Sequence, residues 1–592
     1  MPLDRVTPAD LGVSQSSQIA ESRRKARERQ KIRRYSGRVH LLFKDLTKIY
    51  SGKDALKTNA EAAIVIGNVV GSSLGPSGLD KMIVREIGAE PTTRHIIVTN
   101  DTAEVLGHVA LEHPVAKLLA DVAATVDHEI GDGTTRAVLL TCALVRAGYK
   151  LTQLGIHPLI VVDGFDDALR KALQICAKIA SPLKKNQYSS AAKVSILGKC
   201  ISVSEQLLAD TAYRAVRMIA RRTATGWQVN VKDIDVLKWA ACPKIRLQLA
   251  EGVILKNVVA TMVPKRIENA RVATFSKTLT WRHLQSDYQR MLRFDLSTPE
   301  KFRQLREERL KFIRQRGEQI ARSGANAVFC RKGMDEELID YLGRRGVLAV
   351  RAVVDEDLAR VSLATGAKVV TDVEQLSEET LGYAKLIEER KIGKTEWIFI
   401  DGCLAARNVS VLVLGPNDAI ATDIEYTLRN AIAYTASLMQ NPLVLFGGGA
   451  IEIELASRLR SWAPSISGKK QLAVLAFAEA LEETPVFLAR NAGMKSLDFL
   501  VKLRAQHAAG QISAGIDSVA LRITDMRKLK VYDPLELVHQ MLTSAAEAAA
   551  AILRTDYIMK VPRTQEEIIE KKKKERERRG KKPEDWVDEI PY

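Results

Sequence analysis

Apolar residues recur with the period of a helix through both ends of the chain, while the middle alternates short apolar runs with helical stretches. Between Asp54 and Val70 an Ala/Ile/Val-rich pattern predicts a helix that runs into Leu74-Gly-Pro-Ser-Gly78, where Pro76 and its flanking glycines stop it in a tight loop. A hairpin-like strand follows at Ile96-Ile-Val98 and ends in Thr99-Asn-Asp101. Long helices are expected from about Pro114 to His128 and from Thr134 to Leu154. The chain then breaks at Gly155-Ile-His-Pro158, and a new helix carries Ala168 to Ile179. His157 precedes a proline and has no ligand-type neighbours, so it reads as a turn residue.

Between about residues 230 and 400 short strands are expected at Arg271–Phe275, Ala327–Cys330 and Leu348–Val354. A long charged helix, Pro299–Ser323, sets Leu305, Phe312, Ile313 and Ile320 on one core-facing stripe. From Asp423 onward the pattern is helical again, with Gly447-Gly-Gly-Ala450 between a strand-like Leu443–Phe446 and a helix from Ile451. Helix-rich ends around an α/β middle imply a multidomain α/β protein whose first and last segments build one discontinuous helical domain.

Composition bounds the class. A chain of 592 residues exceeds what one core supports, so about three domains are expected. An aromatic content of 5% argues against a base-stacking nucleic-acid platform. The six cysteines lie far apart, with no CxxC pair or Cys/His cluster, so neither a zinc site nor a disulfide framework is indicated and a reducing compartment is favoured. With no long apolar segment and no signal-peptide core, the expected location is cytoplasmic, with no membrane partner. The net charge of +18 is unevenly placed. Arg23 to Arg38 form a basic arm that suits an acidic or RNA partner, or simply a solvated extension, whereas Glu566 to Glu589 mix both signs.

The densest chemistry is Gly131-Asp-Gly-Thr-Thr135, just before a helix-compatible run. Glycine lets backbone approach a ligand, the first amides of a helix attract anions, and Asp132 beside them can hold Mg²⁺ against phosphate oxygens. A glycine-rich turn with a threonine cap would read the same way. The triple glycine at Gly447–Gly449 is a second place where backbone could meet a phosphate or ribose.

These pieces, with Leu74-Gly-Pro-Ser-Gly-Leu-Asp-Lys-Met82, Thr99-Asn-Asp101 and Glu112-His-Pro-Val-Ala-Lys117, together resemble the group II chaperonins, the archaeal thermosome and the eukaryotic cytosolic chaperonin CCT. Val263–Arg271, Ser323–Asn326, Asn491–Gly493, Asp533-Pro534 and Ile552–Arg554 match as well, and the similarity runs unbroken from about Gly52 to Val561. Ser72–Lys81 and Leu414–Ala419 look closest to the alpha-type CCT subunit, whereas the segment around Asn491 and Asp533 looks more archaeal.

The resemblance implies a basic N-terminal extension (1–50), an equatorial ATP-binding domain in two parts (51–155 and 444–562), an intermediate domain in two parts (156–230 and 409–443), an α/β apical substrate-binding domain (231–408) and a charged tail (563–592). A helical lid protrusion is implied at about Trp281 to Phe302. It implies ATP and Mg²⁺ as cofactors, with paralogous or identical subunits in a double ring and unfolded client proteins as partners. In family terms Leu74, Gly75 and Pro76 contact the nucleotide, Asp132 ligates Mg²⁺, and Gly133, Thr134 and Thr135 hold phosphates. Gly164 is placed near the terminal phosphate, and Gly448, Asn491, Ala492 and Asp533 on the nucleoside side.

Hydrolysis in active members uses two carboxylates. Asp101 preserves the first, but the second falls on Asn430, an amide that orients water without accepting its proton. Thr102 replaces a glycine, Glu104 a hydroxyl residue whose neighbours would be phosphate oxygens, Asp163 a phosphate-sensing lysine of some relatives, and Lys495 an acid. The expectation is a ring subunit that binds ATP and hydrolyses it weakly. The alternatives are a fully hydrolysing subunit, or one whose basic arm binds RNA or ribosome.

Overall fold

The computed structural model describes residues 48–86, 94–184, 187–199, 203–224, 226–240, 242–280, 299–403 and 408–560. The basic arm, the charged tail and most of the lid-like stretch lie outside these residues. The chain divides into two compact units. The smaller joins Met1–Asn59 to Thr555–Tyr592. In it, strand Lys48–Ser51 lies antiparallel to Tyr557–Lys560, and the Gly52 amide donates to the Asp556 carbonyl at 2.8 Å.

The larger unit, Ala60–Arg554, mixes helix and strand. Its helical body is built from both ends of the sequence. Helix Thr134–Gln153 packs on Leu535–Leu553, and Pro158–Ile179 packs on Lys470–Leu481. The facing stripes carry Val138, Leu144 and Val145 on one side and Leu537, Val538 and Leu542 on the other, all completely buried. Each such side chain contributes about 1.5–3 kcal/mol of transfer free energy. A Cβ on Gly148 would sit 2.4 Å from Leu553, so this glycine sets how closely the two helices approach.

The middle of the chain forms a mixed sheet in the order Leu348–Val350, Ala327–Cys330, Arg266–Phe275, Gly382–Ile392, Thr395–Cys403, Gly252–Leu255, with Val369–Val370 paired to Arg266–Phe275. The first three strands run parallel, and the long hairpin Gly382–Cys403 continues antiparallel. Ala327–Cys330 is buried at all four positions, as expected of a central parallel strand covered on both faces. Ile313 and Ile320 of the charged helix join this core and Phe312 is half-buried; Leu305 falls among residues whose side chains are not described.

Between these parts lies a three-stranded sheet. Val409–Gly415 is flanked by Ile234–Ala240 in parallel and by Arg246–Ala250 in antiparallel. Its run of Val, Leu and Ser is buried throughout, with helices Glu205–Ile219 and Asp418–Gln440 packed on it. The second of these helices carries Asn430.

Three boundaries differ from the sequence expectation. The helix after the break begins at Pro158 rather than near Ala168: proline suits a first helical position, and His157 Nδ1 accepts the Leu159 amide at 3.2 Å. His157 is therefore a helix cap. The strand at Leu348 ends at Val350, because Ala352 turns to a left-handed φ of 56°. The helical pattern expected from Asp423 starts at Asp418, where the Asn417 side chain accepts the Ile420 amide at 2.8 Å.

Candidate nucleotide pocket

Two helix N-termini open into one cavity of about 440 Å³. Helix Thr134–Gln153 begins after Gly133 (φ 80°) and helix Ala450–Trp462 after Gly449 (φ 81°). Neither glycine offers a capping side chain; the first amides of helix Thr134–Gln153 keep their donors for a ligand, whereas the Ala450 amide that opens the second helix donates to the Gly447 carbonyl at 3.2 Å. The left-handed backbone explains the glycines, and close packing explains them again. A Cβ on Gly448 would meet Met526 Sδ at 2.7 Å, and one on Gly75 would meet Leu488 at 2.4 Å.

The structure brings Leu74, Gly75, Pro76, Asp101, Asp132, Gly133, Thr134, Thr135, Gly448 and Asp533 to the wall of this cavity. Asn491 acts from behind it. Its Nδ2 donates to the carbonyls of Gly71 and Leu74, both at 2.9 Å, and so braces the Leu74–Pro76 loop. Ala492 follows it at a helix end and is not on the wall.

Gly164 is elsewhere. It lies inside helix Pro158–Ile179, where a Cβ would come within 2.5 Å of Ala473 on the neighbouring helix. Gly164→Ala should therefore cost about 1–3 kcal/mol of stability through overpacking yet leave Mg-ADP affinity unchanged. Thermal melts and an ADP titration of the same preparations check this.

Asp163, on the same helix, pairs with Lys470 at 3.3 Å and stands outside the cavity. The lysine that does face it is Lys199, which sequence reasoning missed. Lys199 Nζ bonds Asp132 Oδ1 at 2.9 Å. Burial works to lower its pKa, but Asp132 and Asp101 outweigh burial and hold it above the ordinary lysine value. Its loop is fixed by two contacts. The Asn100 amide donates to the Gly198 carbonyl at 2.9 Å, and a Cβ on Gly198 would lie 2.7 Å from Pro76 Cα. A Gly-Lys pair after the apolar Ile196-Leu197 was the only signal for it.

The remaining departures also find their places. Asp101 caps the short helix Thr102–His108 by accepting the Ala103 amide at 2.8 Å. The Thr102 hydroxyl lies 2.8 Å from that of Thr135 and ties down one of the cavity hydroxyls. Glu104 is not on the cavity wall; it lies 4.0 Å from His108, and burial raises its pKa. Lys495 is exposed ahead of helix Ser496–Ala508, away from the cavity.

Beneath the first phosphate-type loop lies a buried ion network. Arg136 reaches Asp533 at 2.7 Å and Glu452 at 3.4 Å, with all three side chains largely out of solvent. Neither Arg136 nor Glu452 was singled out from sequence, and the hairpin Ala514–Asp525 was missed as well. Its turn contributes Asp517, Ser518, Val519 and Ala520 to the wall. Asp517 Oδ1 accepts the amides of Val519 and Ala520 at 3.1 and 2.9 Å and so fixes that turn.

Asn430 is 4% exposed and does not reach the cavity wall. It packs against the loop from behind: a Cβ on Gly131 would come within 3.2 Å of Asn430 Cα. Beside it are Tyr426 and Asp127. Burial, and after it Asp101, pushes the Asp127 carboxyl up to about 6, against the opposing effects of Tyr426 and Lys199.

The donor set fits a nucleoside triphosphate with its metal: amides at the start of helix Thr134–Gln153 for phosphates, one carboxylate beside them for a divalent cation, and the Asp517–Ala520 turn in the same wall. A sequence model of the TCP-1/cpn60 chaperonin family matches residues 66–563, and the chain belongs to that family as a group II chaperonin subunit. Thermosome subunit beta of Archaeoglobus fulgidus is 38% identical over 527 residues, covering 88% of this chain and 95% of the relative. Thermosome subunit alpha of Sulfolobus acidocaldarius is 36% identical over 531 residues (87% and 93%), and the thermosome subunit of Pyrococcus horikoshii is 35% identical over 551 (92% and 97%). Among the described residues no helix is long and apolar enough to cross a membrane.

Proposed function

We propose that this chain is a cytoplasmic chaperonin ring subunit that binds ATP with Mg²⁺ in the cavity between the two glycine-capped helices, hydrolyses it slowly, and with partner subunits encloses unfolded proteins. The observation that carries the nucleotide reading is the convergence of two uncapped helix N-termini on one cavity that also holds Asp132 and Lys199. Phosphates take the amides of Gly133–Thr135, Asp132 would hold the metal and neutralise phosphate charge through it, and the Gly448–Asp533 side receives the nucleoside. Lys199 pairs with Asp132, and its ammonium would be available to a terminal phosphate where that carboxylate held a metal instead. Asp101 stands ready to polarise water, while Asn430 supplies no second charge. Phosphoryl transfer relies on positioning and electrostatics, so this chemistry slows rather than stops.

The test is nucleotide binding by the full-length protein and by Lys199→Met. Loss of one charge-assisted hydrogen bond, about 1.5–3 kcal/mol, should weaken Mg-ATP binding by roughly 10- to 150-fold. Mg-ADP affinity should hold or improve, since Asp132 is no longer occupied. Wild-type protein without Mg-dependent nucleotide binding would end this reading.

A further inference from the structure

A buried hydroxyl stands directly behind one that lines the cavity. Thr102 opens the short helix Thr102–His108 and is 1% exposed. Among the described residues its Oγ1 has one hydrogen-bond partner, the Oγ1 of Thr135 at 2.8 Å, and that oxygen has no other partner among them. Thr135 is on the cavity wall and Thr102 is not. The two residues come from helices packed on each other, Thr102–His108 and Thr134–Gln153. Both helix starts are fixed. Asp101 accepts the Ala103 amide at 2.8 Å, and the Ala137 amide donates to the Gly133 carbonyl at 3.0 Å.

The distance alone lets either oxygen donate, but the surroundings decide. A hydroxyl carries one hydrogen and two lone pairs. Buried donors are nearly always paired, whereas an acceptor with a lone pair to spare is tolerated more often. Were Thr135 to donate to Thr102, the Thr102 hydrogen would be left buried with no acceptor. With Thr102 as the donor, that hydrogen is used and the Thr135 hydrogen is released toward the cavity. Each bond in such a chain polarises the next, which makes Thr135 the stronger donor. A donor there suits a phosphate oxygen rather than a cation, which takes oxygen lone pairs.

We propose that Thr102 is a positioning residue for the nucleotide, holding the Thr135 hydroxyl as a fixed hydrogen-bond donor to a phosphate oxygen. The inference rests on the cavity being a Mg-nucleotide site and adds how one of its hydroxyls is set. It leaves the metal to Asp132 and gives Thr135 to the phosphates alone. A glycine, which Thr102 replaces, has no hydroxyl and would leave the Thr135 hydrogen free to turn.

Full-length wild type, Thr102→Val, Thr102→Ser, Thr135→Val and the Thr102→Val/Thr135→Val double variant are titrated with ADP, with and without Mg²⁺, and with adenosine. Valine copies the shape of threonine without its hydroxyl, and serine keeps the hydroxyl. Thr102→Val should weaken Mg-ADP binding about 2- to 13-fold, the worth of a neutral hydrogen bond, while Thr102→Ser should bind as wild type does. Adenosine affinity should not change, and Mg²⁺ should improve ADP binding by the same factor in Thr102→Val as in wild type. Thr135→Val should cost roughly 10- to 150-fold, as for a hydrogen bond to a charged group. Adding Thr102→Val to it should cost nothing more, because the two hydroxyls act through one bond. Thermal melts accompany each titration, and if Thr102→Val folds poorly, Thr102→Ala replaces it in both backgrounds. The proposal is overturned by wild-type Mg-ADP affinity in Thr102→Val, by equal losses for ADP and adenosine, or by an equal cost in both backgrounds. Thr102→Ser binding as weakly as the valine variant, or a smaller gain from Mg²⁺, would also overturn it. A wild type without Mg-dependent ADP binding would instead take down the pocket reading, and this role with it.

Discussion

Asn430→Asp should raise steady-state ATP turnover by about 10²–10⁴-fold, the usual worth of a positioned general base. The position is prepared for the change. Asn430 is buried on helix Asp418–Gln440, pressed against Gly131, and Asp is close to Asn in volume, so the backbone need not move. The new carboxylate would stand beside Tyr426. Phosphate release measured on both proteins under saturating Mg-ATP decides the matter. Equal rates would mean that Asn430 has taken nothing from catalysis and that the chain is an ordinary ATPase.

Arg136→Met should be the most destabilising single change in the nucleotide region. It would leave Asp533 and Glu452 buried without their counter-charge, and breaking such a network typically costs about 3–5 kcal/mol. For a cooperative unit of a few hundred residues that corresponds to a fall in melting temperature of about 6–20 °C. The triple variant that also neutralises the acids, with Asp533→Asn and Glu452→Gln, should recover most of the loss, since the cost lies in stranded charge rather than in a missing contact. A melt of Arg136→Met within a degree or two of wild type would show that water reaches these carboxylates.

Much of the pocket was legible because its residues advertise themselves. Gly131–Thr135 and Gly447–Ala450 are places where only glycine tolerates the backbone, and both loops lead straight into helical patterns, so position and chemistry could be read together. Lys199, Arg136 and Glu452 carry no local signature. Each is an ordinary charged residue whose meaning comes from what the fold sets across from it, Asp132 or Asp533. Gly164 illustrates the opposite error. The resemblance placed it near a phosphate, yet the glycine is there because helix Lys470–Leu481 crosses too closely for a side chain. Glu104 was expected among phosphate oxygens, but the helix capped by Asp101 carries it toward His108 instead. Helix ends were displaced for the same kind of reason: His157 and Asn417 start helices with side-chain hydrogen bonds that hydrophobic periodicity does not register.

Arg136 and Asp533, which share one ion pair, stand 397 residues apart. At a ribosomal rate of about 5–20 residues per second, that separation amounts to roughly 20–80 s between the appearance of one partner and the other. Throughout that interval the stripe of helix Thr134–Gln153 that faces Leu535–Leu553 has no partner to set against. The nascent subunit is itself exposed to the misassociation that chaperones suppress, and the wall of its cavity is complete only once Asp533 has been made.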